Sequence, residues 1–172
     1  MHLKKQTILA VIGASGSGKT TFTLALTRKY GIKNVVSCTT RPRRACETDG
    51  IEHWFRTGKD VPPAEQRLAY TKFGDYEYWV ALNDVEALGD MFTYVIDEDG
   101  LIDLKNHYGE DFNVISIKVN REDTSGIDAM RKQRDEGRFR MTDSDFDIVL
   151  NNNTTIDELC EVFMARLQNL RA

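Results

Sequence analysis

The stretch from Gly13 to Thr20, Gly-Ala-Ser-Gly-Ser-Gly-Lys-Thr, constrains the fold of this chain more than any other feature. It has the spacing Gly-x-x-x-x-Gly-Lys-Ser/Thr, in which glycines let the backbone approach a ligand and successive N–H groups can cradle phosphate oxygens. Lys19 adds a positive charge for the β- and γ-phosphates, and the hydroxyl of Thr20 can coordinate Mg²⁺. The stretch therefore predicts a phosphate-binding loop (P-loop) for a nucleoside triphosphate.

The sequence on either side of this loop supports the prediction. Residues 7–12 form an apolar run that is typical of a buried parallel strand. After the loop, Phe22, Leu26 and Tyr30 recur every fourth residue, and Gly31 follows as a helix stop. A glycine-rich turn that matches the motif by chance would lack this order of strand, loop and helix. We therefore predict that residues 7–31 form the first βα unit of a parallel sheet.

Composition narrows the classes of protein to which the chain can belong. The 172 residues are 41% hydrophobic and carry a net charge of −4, which suits one globular domain and argues against a nucleic-acid partner. Cys38, Cys46 and Cys160 are odd in number and widely spaced, so we expect reduced thiols and a cytoplasmic location. The apolar runs are too short for a membrane span, and we expect no membrane partner.

Further apolar runs extend the βα pattern along the chain. Core strands are predicted at residues 34–38, 91–96, 112–119 and 146–150, and a last helix begins at a capping box formed by Thr155 and Glu158. This alternation predicts an α/β fold with a P-loop NTPase core, in which a parallel sheet of about five strands carries helices on both faces.

Two segments depart from the alternation. Residues 45–83 are rich in aromatic side chains and turn residues, which predicts a small antiparallel β insertion. Residues 121–141 contain a cluster of basic residues from 131 to 140 and predict a short helical lid, although a solvated helix face explains the same charges. The single domain would thus consist of a core (1–44, 84–120 and 142–172), the insertion and the lid.

Two groups of polar residues lie where predicted strands end. Arg41, Arg43 and Arg44 surround Pro42, and such a loop suits either capture of a phosphate or a solvated basic surface. Asp97 follows the strand at 91–96, at the edge of the sheet where α/β proteins bind ligands. It is a candidate for binding nucleotide or metal, or alternatively an N-cap of the next helix.

These residues together resemble the guanylate kinase family of P-loop nucleoside monophosphate kinases. Residues 37–44, Ser-Cys-Thr-Thr-Arg-Pro-Arg-Arg, followed by Glu47, Gly50 and Phe55, are similar to its signature S-x-T-T-R-x-x-R…E…G…Y-x-F. Residues 96–100, Ile-Asp-Glu-Asp-Gly, resemble its I-D-x-x-G, and residues 146–151 resemble its F-D-x-V-x-x-N strand. The resemblance runs through most of the chain in the family's order.

The resemblance implies transfer of a phosphoryl group from ATP, with Mg²⁺, to a nucleoside monophosphate, by default GMP or dGMP. The residues that it assigns to ATP are Gly13, Ala14, Ser15, Gly16, Ser17, Gly18, Lys19, Thr20, Thr21 and Asn151, with Thr20 on the metal. Those that it assigns to the acceptor are Ser37, Arg41, Arg44, His53, Tyr76 and Asp97. The catalytic set would be Lys19, Arg41, Arg131 and Arg134, in a monomer or homodimer.

The chain departs from the family where the acceptor base is read. His53 replaces a phosphate-binding tyrosine, Ala69 lies at or near a guanine-reading glutamate, and Trp79 stands in place of a small hydroxyl residue, with Glu77 nearby. Alternatives are therefore a kinase of the same fold that phosphorylates another nucleotide or a phosphosugar, and a non-catalytic binding module. The intact Gly18, Lys19 and Thr20 argue against the module, and a GTPase would need an N-K-x-D motif, which the sequence lacks.

Overall fold

The computed structural model describes residues 5–123, 125–127, 129, 135 and 140–171. The strands within these residues are Thr7–Ile12 (β1), Lys33–Val35 (β2), Cys38–Thr39 (β3), Trp54–Phe55 (β4), Arg67–Phe73 (β5), Tyr76–Ala81 (β6), Met91–Val95 (β7), Asn113–Asn120 (β8) and Ile148–Asn151 (β9). Five of them form one parallel sheet in the order β2-β7-β1-β8-β9, which confirms the predicted core.

Helices cover both faces of this sheet. They are Lys19–Tyr30 (α1), Leu82–Glu86 (α2), Glu98–Tyr108 (α3) and Ile156–Arg171 (α4), with short 3₁₀ turns at Gly58–Asp60, Ala64–Gln66 and Asp143–Asp145. Side chains of β1 alternate between the two faces, as a strand requires. Leu9 and Val11 pack in the cluster that holds α1 and α4, whereas Ala10 and Ile12 pack with Leu101 of α3.

The helix ends use the residues that the sequence predicts. Gly31 ends α1 in the left-handed conformation, with φ of 69°, and its N–H donates to the Thr27 carbonyl. At the start of α4, the Glu158 N–H donates to the Thr155 hydroxyl at 3.3 Å, and the Thr155 N–H donates to the Glu158 carboxylate at 3.1 Å. This reciprocal pair is the predicted capping box. Among the described residues, no helix has the length and apolar character that a membrane crossing requires.

A second, smaller sheet has the order β4-β3-β6-β5. The prediction of one core strand at 34–38 is wrong, because this segment divides into β2, which joins the large sheet, and β3, which joins the small one. A β-branched run predicts extended chain but not the sheet with which it pairs. The small sheet is antiparallel at β3–β6 and β5–β6, but β3 and β4 are parallel because a long excursion separates them along the chain.

The predicted lid at 121–141 is described only in part. The family resemblance assigns a catalytic role to Arg131 and Arg134, and both lie outside the described residues. Asp135 and Ile127 are described, and both contact the phosphate loop.

Candidate active site

The P-loop connects the end of β1 to the start of α1. Gly16 and Gly18 have φ of 78° and 95°, which are left-handed values that favour glycine, and the Ser17 N–H donates to the Ala14 carbonyl at 3.1 Å. The N-terminal residue of α1 is Lys19, so the positive end of the helix dipole lies at the loop. Strand, loop and helix therefore have the arrangement that binds anions at helix N-termini in other proteins.

Neighbouring segments hold the loop in place. Asn152, just after β9, donates from Nδ2 to the Ser17 carbonyl at 2.8 Å, and its backbone N–H donates to the Asn120 carbonyl at 2.7 Å. A Cβ atom on Gly18 would overlap Asn152 Nδ2, so this close approach needs glycine. Lys19 Nζ donates to two carbonyls of the loop, those of Gly13 at 2.7 Å and Ala14 at 2.9 Å.

A cavity of about 520 Å³ opens beside the loop. It is lined by Gly18, Thr21, Arg121, Glu122, Asp123, Asn152, Asn153, Thr154 and Ile156. Thr21 thus lies beside the cavity, whereas Asn151 is exposed at the end of β9, opposite Asn120. Asn152 and Asn153 take the positions beside the cavity. Because three asparagines follow one another, the sequence does not indicate which of them lies beside the cavity.

The arginine loop after β3 is organised around one carboxylate. Arg41 donates to both oxygens of Glu47, at 2.9 and 2.8 Å, and the Arg44 N–H donates to the same carboxylate at 2.9 Å. Both side chains of the Arg41–Glu47 pair are about nine-tenths buried. Burial alone would raise the pKa of Glu47, but the hydrogen bonds and charges of the two arginines lower that pKa to about 2. Glu47 is therefore ionised and fixes the plane of the Arg41 guanidinium.

His53 joins this cluster from the start of β4. Its Nδ1 lies 2.9 Å from the Ser37 hydroxyl, and its ring contacts the rings of Phe55 and Tyr78. Burial and the nearby Arg41 charge lower the pKa of His53. In the neutral ring, Nδ1 can accept from Ser37 and leave Nε2–H as a donor. Ser37, Arg41 and His53, which the sequence assigned to the acceptor, are thus brought together.

Tyr78 is a member of this cluster that the sequence did not identify. It lies opposite Thr39 of β3 and beside the Arg41 guanidinium. Tyr76, which the sequence proposed, is 39% exposed beside the two-residue turn that joins β5 to β6. Pairing of Phe73 with Tyr76 sets the register of this hairpin. That register depends on turn geometry, so the alternating pattern alone did not reveal it.

The side chains at the positions where the sequence departs from the family pattern are buried or hydrogen-bonded within the small sheet. Trp79 is buried opposite Cys38, with 2% of its surface exposed. Ala69 is buried with φ of 49°, where the pairing of β5 with β6 shifts register. The Glu77 carboxylate accepts from the Tyr70 hydroxyl at 2.6 Å. These side chains are held by the small sheet itself.

Asp97 lies at the carboxyl end of β7, the strand beside β1. Its Oδ1 accepts from the Gly100 N–H at 2.8 Å, so the N-cap interpretation is confirmed. The next residue, Glu98, is buried and accepts from the backbone N–H groups of Arg140 and Met141. The start of α3 is thereby joined to the chain that returns toward β9.

The parallel sheet and the P-loop define the class as a P-loop kinase fold, and solved structures agree. The crystal structure of guanylate kinase from Anaplasma phagocytophilum matches 95% of this chain and 87% of its own, with a TM-score of 0.67 and 22% identity. The Mycobacterium tuberculosis APS kinase CysC, in complex with AMPPNP and APS, matches with a TM-score of 0.52 and 14% identity over 96% of this chain and 98% of its own. At these identities the structures establish the fold alone.

Sequence comparison finds relatives of one kind. Guanylate kinase of Chlorobium chlorochromatii (strain CaD3) is 29% identical over 163 residues, which are 82% of this chain and 84% of that protein. Guanylate kinase of Caldanaerobacter subterraneus subsp. tengcongensis is 28% identical over 168 residues, covering 92% of this chain and 77% of that protein. No family model matches the chain. The chain is thus similar to guanylate kinases over most of its length, which supports a divergent member of that family, and it is an enzyme.

Proposed function

We propose that this enzyme transfers the γ-phosphoryl group of ATP to a nucleoside monophosphate, with GMP or dGMP as the acceptor. The observation that carries the proposal is the combination of two anion sites in one fold. One is the intact P-loop on β1 and α1, and the other is the ordered cluster of Arg41, Glu47 and His53 on the small sheet. A kinase of this class needs one site for each phosphate-bearing substrate.

The donor site would be the P-loop with the cavity beside it. The loop N–H groups and Lys19 would hold the triphosphate, and the Thr20 hydroxyl in the first turn of α1 would coordinate Mg²⁺. The cavity of about 520 Å³ is large enough for the nucleoside part of ATP, with Thr21 and Asn152 on its wall. Asn151, which the family resemblance assigned to ATP, lies next to this wall in the chain.

The acceptor site would be the cluster after β3. The Arg41 guanidinium, held by Glu47, and Arg44 would bind the monophosphate, while His53 and Tyr78 would donate further hydrogen bonds. Ser37 would orient His53, and Asp97 would contact the base. Tyr76, close to the hairpin turn, belongs to this proposal only as an outer contact.

The reaction needs positioning and positive charge more than covalent chemistry. An oxygen of the acceptor phosphate would attack the γ-phosphorus, and the bond from that phosphorus to the bridging oxygen of ADP would break. Lys19 and Arg41, with Arg131 and Arg134 from the lid, would stabilise the charge on the transferred group. Mg²⁺ would neutralise the β- and γ-oxygens when bound.

The division into a core (1–44, 84–120 and 142–172), an insertion (45–83) and a lid (121–141) is part of the same proposal. We propose that the insertion carries the acceptor and that the lid closes on the donor, because a kinase must exclude water from the reaction. A cytoplasmic enzyme that acts as a monomer or homodimer, without nucleic-acid or membrane partners, fits the acidic composition and the free cysteines.

A second candidate keeps the chemistry and changes the acceptor. Trp79 is buried and Ala69 offers no polar side-chain atom, so the groups that distinguish guanine in the family are not reproduced. Phosphate contacts alone do not distinguish one base from another, whereas unpaired polar groups reject the wrong base by large factors. This observation favours broader acceptor use, by other nucleotides or a phosphosugar.

A panel of acceptors tests both candidates. ADP formation from ATP and Mg²⁺ would be measured with GMP, dGMP, AMP, dAMP, CMP, UMP and a sugar phosphate. We expect turnover with purine monophosphates, weaker discrimination among bases than in the relatives, and loss of turnover in Lys19→Met. Turnover confined to a sugar phosphate would select the second candidate. No ADP above the background of Lys19→Met with any acceptor would refute the proposal.

A further inference from the structure

A carboxylate from a distant part of the chain contacts the P-loop. Asp135, from the segment between β8 and β9, accepts from the Ser15 backbone N–H through Oδ2 at 2.7 Å. Its Oδ1 lies 3.2 Å from the Ser15 hydroxyl, which donates to it. One carboxylate thus takes two donors of the loop, separated from it by 120 positions in sequence.

A second contact from the same segment lies next to the first. The side chain of Ile127 covers Gly16, so closely that a Cβ atom on this glycine would lie 2.6 Å from Ile127 Cδ1. Gly16 also has φ of 78°, which a residue with a side chain adopts at a cost. An apolar contact and a charged one therefore lie on consecutive residues of the loop, Gly16 and Ser15. The segment thus packs against the loop through more than one hydrogen bond.

The Asp135 carboxylate occupies donors that a phosphate-binding loop offers to its ligand. Backbone N–H groups in a P-loop bind anionic phosphate oxygens, and a carboxylate is the anion of a protein side chain that most resembles them. A phosphate oxygen and the Asp135 carboxylate cannot share the Ser15 N–H, since both are acceptors and both are negatively charged. Binding of a triphosphate at this position must therefore remove the carboxylate.

We propose that Asp135 is an intramolecular stand-in for a phosphate group of the nucleotide, which holds the Ser15 donors until ATP displaces it. This inference rests on the proposed function of the loop as the ATP site. Asp135 would thereby lower the apparent affinity for ATP, because only the fraction of molecules with Asp135 released can bind. If the contact is formed in about nine molecules of ten, its removal raises the apparent affinity about tenfold.

The test is a comparison of nucleotide binding by calorimetry, with Mg²⁺ and the non-hydrolysable β,γ-imido analogue of ATP. We expect Asp135→Asn to bind this analogue about tenfold more tightly than the wild type. Ser15→Ala retains the N–H and loses only the hydroxyl bond, so it should show a smaller gain. Adenosine, which has no phosphates, should bind the wild type and Asp135→Asn equally.

The control variant is Asp143→Asn, which removes one negative charge after the same segment, where Asp143 pairs with Lys118. A gain in analogue affinity equal to that of Asp135→Asn would show a general charge effect and overturn the inference. Unchanged or weaker binding by Asp135→Asn, with the wild type binding the analogue, would also overturn it and leave the proposed function intact. Failure of the folded wild type to bind the analogue would instead remove the proposed function, and the inference with it.

Discussion

Replacing Glu47 by glutamine should destabilise the protein at neutral pH and much less at acidic pH. Glutamine keeps the size of the side chain and one acceptor oxygen, but it removes the charge that accepts two hydrogen bonds from Arg41 and one from the Arg44 N–H. Arg41 would then be a buried cation without its partner. Removing one member of a buried pair destabilises the protein, because the charge that remains loses its compensation.

The size of the effect follows from the pKa of Glu47, which falls from 4.5 to about 2 in the folded protein. Each pKa unit corresponds to about 1.4 kcal/mol, so the ionised form gains at most about 3 kcal/mol on folding. Because Arg44 is half exposed and water screens part of the interaction, we expect about 1–2 kcal/mol at pH 7. A carboxyl whose pKa is lowered by folding contributes this stability above pH 4.5 and loses it as the pH falls toward 2.

The assay is urea unfolding of the wild type and Glu47→Gln at pH 7, 5 and 3.5. The difference in unfolding free energy should be largest at pH 7 and shrink toward pH 3.5. The control is Glu52→Gln, in the same loop, whose carboxylate accepts from the Thr48 N–H, and we expect a change within about 0.5 kcal/mol. A difference that stays constant from pH 7 to 3.5, or that does not exceed the control, would refute the assigned role of Glu47.

Three further substitutions test the donor site and the core. Lys19→Met should lower kcat at least about a hundredfold while the melting temperature, measured by circular dichroism, stays within about 2 °C, because positioned cations stabilise the transition state. Gly18→Ala should raise the KM for ATP about tenfold or more, since its Cβ would overlap Asn152 and distort the loop; an unchanged KM would contradict the geometry. Phe163→Ala should cost about 3–5 kcal/mol in urea unfolding, because its buried ring contacts Phe22 edge-on at 5.3 Å, and a loss below about 1 kcal/mol would show that the site collapses.

The sequence alone predicted the parts of this protein that local physical chemistry determines. The glycines and Lys19 of the P-loop, the apolar run of β1 and the stop at Gly31 each depend on neighbours a few residues away. They predicted the βα unit, the phosphate site and the parallel sheet. The capping box of Thr155 and Glu158 is equally local, and its two hydrogen bonds are present.

Only the tertiary structure determined which segments that are distant in sequence contact one another. The β-branched run at 34–38 divides between two sheets, and the turn of the β5–β6 hairpin places Tyr78 rather than Tyr76 beside Arg41. Asn152 rather than Asn151 braces the P-loop, and Asp135 reaches Ser15 across 120 positions. A strand pattern repeats every two residues and fits several registers equally well, whereas a contact between distant residues depends on how helices and sheets pack. The phosphate-binding character of the loop could therefore be predicted from the sequence, whereas its contacts with Asn152 and Asp135 could not.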